Sequence, residues 1–177
     1  AEGGTGRNSG FMIDLPHDLT SSDYAGAGEG HDRQLTRLNR HAIDFAAAAV
    51  AEYAISPGYF QRAGKINAAA SDAGLAANRS YAAHLQHLSE PHELLDARAM
   101  REITGSAYYR GGLFTPGTAM LQPAGYVQGL AAGLERAGLR IHENAPVLRI
   151  ESAAQGWLLT TAQGSLRAQR VIMANNG

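Results

Sequence analysis

The last third of the chain, residues 123–177, constrains the fold more than any other stretch, because a helix signal there runs straight into a series of short strand signals. Pro123 suits a first helical turn, where a missing N–H removes no bond, and Gly138 suits the position just past a helix, where a positive φ is wanted. Between them Tyr126, Val127, Leu130, Leu134 and Ala137 recur at helical spacing, which leaves Gln128, Glu135 and Arg136 for water. A helix with one apolar stripe needs a sheet to cover. Residues 139–142, 147–150 and 157–161 read as strands, and Gly164-Ser165 turns the chain into a further extended stretch, 166–170. Val171-Ile172-Met173-Ala174 is a short apolar run of the kind found in buried parallel strands. Residues 139–142 and 171–174 are therefore expected in one parallel sheet. Asn175-Asn176-Gly177 is a small-residue turn after which a strand normally continues, so Gly177 is expected to be a boundary inside a longer chain.

Composition narrows the partners rather than the fold. At 177 residues the chain can hold one sizeable core or parts of two domains. A charged fraction of 18% and a net charge of −1 supply no field for nucleic acid or anionic membranes. With no cysteine there can be no disulfide, thiolate nucleophile or Cys-type metal site, which fits a cytoplasmic protein. The most apolar helical run, 43–55, is far short of the roughly 20 residues of a membrane span and carries Asp44 and Glu52.

The glycine-rich start, Gly3-Gly4-Thr5-Gly6-Arg7-Asn8-Ser9-Gly10, could turn several N–H groups toward an anion, although its spacing is one residue too long for G-x-G-x-x-G and no strand precedes it. On spacing alone it reads as a loop, and residues 26–30 read as a linker. A long helix over 32–54, capped by Asp32 or a neighbour, carries an apolar stripe of Leu35, Leu38, Ala42, Phe45, Ala49 and Tyr53. Pro57-Gly58 ends it, and 59–69 has strand character. Helices are expected over 72–88, closed by Pro91, and over 97–103, stopped by Gly105, with an aromatic strand over 108–114. Gly111-Gly112 inside that strand either let a backbone or planar ligand come close or mark a bulge, and a bulge is the expectation. His84, His87 and His92 lie near Glu90 and Glu93, but His92 sits beyond a proline and no H-E-x-x-H spacing exists, so no metal site is expected; His17, His31, His41 and His142 likewise read as ordinary surface histidines. No Ser/His/Asp order, P-loop or carboxylate pair stands out, and the residues alone lead to an α/β protein.

Gly6-Arg7-Asn8-Ser9-Gly10, the strand at 108–114 leading into Gln122-Pro123, and the run from Glu143-Asn144-Ala145-Pro146-Val147 to Ala174-Asn175-Asn176-Gly177 together resemble the D-amino acid oxidase-like FAD-dependent oxidoreductases, in particular the gamma-glutamylputrescine oxidase-like branch. The resemblance follows element order over nearly the whole chain. It implies a mixed α/β (α+β) fold: a partial FAD-binding Rossmann-like domain, residues 1–58 and 123–177, lacking its first βαβ unit, with part of a substrate-binding sheet and its helices at 59–122. It implies that Arg7, Asn8 and Ser9 form the loop on the flavin side of FAD, that Val147 meets the adenine through its backbone, and that Ala174, Asn175 and Gly177 approach the cofactor. Glu2 is not assigned to the ribose, because the family's acid falls further upstream.

The implied activity of the parent protein is oxidation of a small-molecule amine or amino acid by hydride transfer to flavin, with the chain alone inactive, not retaining FAD, and prone to self-association through apolar faces. The catalytic residues are not identified in this stretch. A non-catalytic flavoprotein-fold subunit and a self-contained α/β interaction module remain open as alternatives.

Overall fold

The computed structural model describes residues 3–16 and 29–175, and these fall into two compact units that divide between Gly133 and Leu134. The first unit opens with a 3-10 turn, Gly4–Gly6, and a two-residue strand β1 (Phe11–Met12), followed by helix α1 (Glu29–Glu52). Strands β2 (Phe60–Gln61) and β3 (Lys65–Ala69), helix α2 (Asp72–His87), strand β4 (Glu93–Asp96) and helix α3 (Ala97–Thr104) come next. Strands β5 (Gly111–Thr115) and β6 (Ala119–Leu121) lead into helix α4 (Pro123–Arg136). The expected single strand over 59–69 is thus two strands, and they join different sheets: β1-β6-β2 and β3-β5-β4.

Local chemistry sets the helix ends. Ser71 accepts from the Gly74 N–H at 3.2 Å and Asp72 lies in the first turn of α2, while His84 and His87 lie in its last. Asp96 caps α3 by accepting from the Ala99 N–H at 2.8 Å, and Gly105, at φ 70°, closes it in the left-handed conformation that favours glycine.

The core lies where α2 crosses the β3-β5-β4 sheet: Tyr81, Ala82 and Leu85 of α2 pack with Leu113 of β5 and with Leu15 from the segment after β1. Leu113 is fully buried, worth about 1.5–3 kcal/mol in area removed from water. Gly111 and Gly112 do not form a bulge, because β5 pairs without interruption to β3 on one side and β4 on the other. They are small for another reason. A methyl group on Gly111 would collide with Leu75 of α2, and one on Gly112 with Met100 of α3, so the pair lets a helix approach each face.

Two helical faces differ from the sequence expectation. In α1 the buried positions are Thr36, Ile43, Ala46 and Ala49, whereas Leu38 and Phe45 of the expected stripe are exposed, Phe45 by 74%. Small residues won because they let the helix lie close. In α4 the contact stripe is Gly125, Gly129 and Gly133, four residues apart, seated on Tyr59, Ile55 and Tyr53. Tyr126 beside it donates to the Ala46 carbonyl at 3.2 Å, and Gln128, Glu135 and Arg136 face water as expected. Gly30, expected in a linker, lies in the first turn of α1, and Asp32 lies within that helix; residues 26–28 and His17 are outside the described residues.

The second unit is an antiparallel meander of β7 (Arg149–Ala153), β8 (Gly156–Thr161) and β9 (Gly164–Ala168). Residues 139–142 and 171–174 are not strands; among the described residues every pairing is antiparallel. An apolar run becomes a buried strand only where another strand accepts its N–H groups, and Ile172 and Met173 are instead 92% and 72% exposed.

Candidate functional site

The glycine-rich start folds into a fixed loop rather than a slack one. Within it the Asn8 side chain donates to the Thr5 carbonyl at 2.9 Å and the Gly4 carbonyl at 3.3 Å, and its oxygen accepts from the Gly10 N–H at 2.8 Å. One amide side chain therefore closes the turn on both sides. Gly10, at φ 77°, presses its α-carbon against the Leu121 carbonyl, where no larger residue fits, and its own carbonyl accepts from the Leu121 N–H at 2.7 Å. Phe11 and Met12 then pair with Met120 and Ala119 of β6.

Below the strand lies Asp14, a fully buried carboxylate. It accepts from Arg40 of α1 through Nε at 3.1 Å and a terminal nitrogen at 3.0 Å, and from the Thr118 hydroxyl at 3.3 Å. Its backbone carbonyl accepts from Asn39 at 3.2 Å. Arg40 also holds Glu90 at 2.6 Å. The hydrogen bond to Glu90 and, after the opposing effect of burial, that to Asp14 raise the guanidinium further above its ordinary range, so Arg40 stays charged at any working pH. Gly117 gives Asp14 its room, since a β-carbon there would overlap the carboxylate. Lys65 of β3 feels the same carboxylate: burial pushes its ammonium pKa down, and Asp14 partly offsets that.

Asp14 was not singled out by sequence reasoning. The signal that could have found it is its position in Phe11-Met12-Ile13-Asp14-Leu15, a lone acid inside an apolar run, which must be either surface-facing or paired when buried.

Arg7, Asn8 and Ser9 come together on the exposed outer side of this loop. Arg7 makes no ion pair among the described residues. An unpaired guanidinium beside a hydroxyl on a rigid turn can meet phosphate or carbonyl oxygens, and neither group is suited to proton transfer at neutral pH.

In the second unit Val147 is about half exposed and lines a cavity of about 600 Å³ with Leu159 and Leu166, bordered by His142, Glu143 and Thr161. Ala174 and Asn175 lie on the exposed segment after β9, and Gly177 is outside the described residues. The histidine-rich region is dispersed by its own bonds: His84 pairs with Asp32 at 2.9 Å, and His92 with the Glu90 carbonyl at 2.8 Å. No group of three or more His, Asp or Glu side chains that could hold a metal occurs among the described residues, and no helix there is long and apolar enough to cross a membrane.

The family model for FAD dependent oxidoreductases (DAO) matches residues 1–177. Among curated proteins, the chain is 31% identical over 90 residues to human mitochondrial dimethylglycine dehydrogenase, covering 50% of this chain and 10% of that protein. It is 25% identical over 178 residues to the probable oxidoreductase OrdL of Haemophilus influenzae, covering 98% of this chain and 40% of the relative. Its fold matches glycine oxidase from Geobacillus kaustophilus with a TM-score of 0.77 at 18% identity, over 98% of this chain and 45% of that enzyme. The chain thus spans less than half the length of each of the three.

Proposed function

The chain belongs to the DAO family of FAD-dependent oxidoreductases, and on that premise we propose that it is a portion of a flavoenzyme that oxidises an amine or amino acid. The observation that carries the reading is the loop between Gly3 and Gly10, locked by Asn8 and by β6 while it offers Arg7, with no ion pair among the described residues, and Ser9 to a ligand. The names of the relatives support the substrate class: one is a dehydrogenase of dimethylglycine and another an oxidase of glycine. The gamma-glutamylputrescine oxidase-like branch is the proposed position within the family.

Bound FAD would supply the hydride acceptor for the carbon that bears the amine. The chain's own residues bind and orient. Arg7 and Ser9 would hold polar atoms of the flavin portion, Asn8 keeps the loop shaped for them, and the Asp14–Arg40–Glu90 triad keeps that loop from shifting. Val147, Ala174 and Asn175, with Gly177 beyond them, would meet other parts of the cofactor. We assign residues 1–58 and 123–177 to the FAD-binding domain and 59–122 to the substrate-binding domain. Coverage of under half of each relative supports a parent longer than this chain, so the chain alone is proposed to be inactive and not to retain FAD. Exposed Phe45, Ile172 and Met173 support its self-association. The absence of cysteine supports a cytoplasmic setting.

The test is the visible spectrum of the full-length protein that contains this chain. Flavin absorption bands are expected, together with bleaching when a secondary amine or amino acid is added without oxygen. Lower flavin occupancy is expected after Arg7→Ala. A colourless protein that takes up no added FAD refutes the reading.

A further inference from the structure

Helix α2 and strand β4 bound a cavity of about 320 Å³ within the first unit. The helix contributes Leu75, Asn78 and Arg79, whose spacing of three and four residues puts them on one face. The strand contributes Leu94 and Asp96. Leu94 pairs with Leu113, whose side chain packs on α2, and the alternation of a strand gives Asp96 the same face, so both side chains lie on the helix side of the sheet. β4 is the outer strand there, and Leu94 is 52% exposed.

The polar groups around this cavity are of both signs. Asn78 is only 5% exposed, and its amide nitrogen donates to the Asn67 carbonyl at 2.7 Å. Its Oδ1 bonds to nothing among the described residues yet keeps accessible surface, so a largely buried acceptor is left for a donor from outside. Next to it in the helix, Arg79 is exposed and makes no ion pair among the described residues. Arg110, also on the cavity wall, is paired with Asp72 at 2.8 Å. Asp96 caps α3 through Oδ1 alone, which leaves its second oxygen unbonded. One available cation, two available acceptors and the aliphatic walls of Leu75 and Leu94 are the complement of a small zwitterion with an apolar side chain.

We propose that this cavity binds a free aliphatic amino acid. Arg79 takes the carboxylate, Asn78 Oδ1 and the free oxygen of Asp96 accept from the ammonium, and the side chain rests between Leu75 and Leu94. The inference concerns binding, not oxidation. The site uses none of the residues assigned to the cofactor, so it does not depend on the flavin reading.

The experiment is equilibrium dialysis of L-leucine against the full-length protein without oxygen. Saturable binding is expected, and 4-methylpentanoate, which lacks the amine, should bind about tenfold more weakly, as should leucine to Arg79→Ala, roughly what one lost charged hydrogen bond gives. Leu94→Ala should weaken leucine several-fold through lost apolar contact. Arg79 and Leu94 are both exposed, so neither change threatens folding, and circular dichroism establishes that each variant is folded. Arg7→Ala should leave leucine affinity as it was. Absence of saturable binding overturns the proposal, as does an amine-free analogue that binds as tightly as leucine. Folded Arg79→Ala and Leu94→Ala variants that bind like the parent overturn it too, and a loss confined to Arg7→Ala would place the leucine in the flavin site instead.

Discussion

Two stretches of irregular backbone were both expected to meet the cofactor, and they differ in how their polar groups are accounted for. In the loop from Gly3 to Asp14, Asn8, Gly10 and Asp14 each bond to a defined partner, two of them on distant elements. In residues 171–175 the apolar side chains of Ile172 and Met173 face outward, and no strand among the described residues pairs with the backbone. Irregular backbone is thus held in place by its bonding, and apolar character alone does not supply that.

The largest expected effect comes from removing the carboxylate that anchors the loop. Asp14→Ala leaves Arg40 and Thr118 without their buried partner and should cost about 3–5 kcal/mol in urea unfolding. A loss below about 1 kcal/mol would show that the loop is held by something other than this triad. Gly10→Ala comes next: it forces a β-carbon into the left-handed region and against the Leu121 carbonyl, for about 1–3 kcal/mol by the same measurement. Asn8→Ala removes neutral, partly exposed bonds, so about 0.5–1.5 kcal/mol is expected, with flavin occupancy of the full-length protein falling alongside.

A smaller effect is read from pH. The folded pKa of Lys65 lies below its ordinary 10.5, so in the window between the two the unfolded chain binds a proton the folded chain lacks. Stability should therefore rise with pH through that window, and Lys65→Met should abolish the rise. Tyr126 works in the opposite direction, since burial raises its pKa above 10.0 and folded-state stability is lost as pH climbs past that point; Tyr126→Phe separates the two. The smallest change in stability belongs to the other stretch: Ile172→Ser should stay within about 0.5 kcal/mol while reducing self-association of the chain in size-exclusion chromatography. A large destabilisation there would erase the contrast between the two regions.

What the sequence made legible was mostly local. The expected limits of α2, α3 and α4 rested on Pro91, Gly105 and Pro123, whose effect is felt within a few residues. Faces were harder, because a face is chosen by what lies across from it. Leu38 and Phe45 outrank Ala46 and Ala49 in hydrophobicity, yet the alanines are buried, and in α4 the decisive residues are three glycines with no side chain to register in a periodicity. Residues 139–142 and 171–174 were also misread as parallel strands, since a short apolar run looks the same in a parallel sheet and in an unpaired segment. Of the candidate site, Arg7, Asn8 and Ser9 were visible through family resemblance, whereas Asp14 depends on Arg40 and Thr118, neither of which is near it in sequence.

That last separation bears on the order in which the molecule assembles. Asp14 and Thr118 are 104 positions apart, and Gly10 finds Leu121 at a similar remove. During synthesis Asp14 must wait, unpaired with Thr118, until the 104 positions between them have been made, and closing so long a loop is a slow, entropically opposed step. The turn from Gly3 to Gly10 is therefore expected among the last parts of the first unit to acquire its shape.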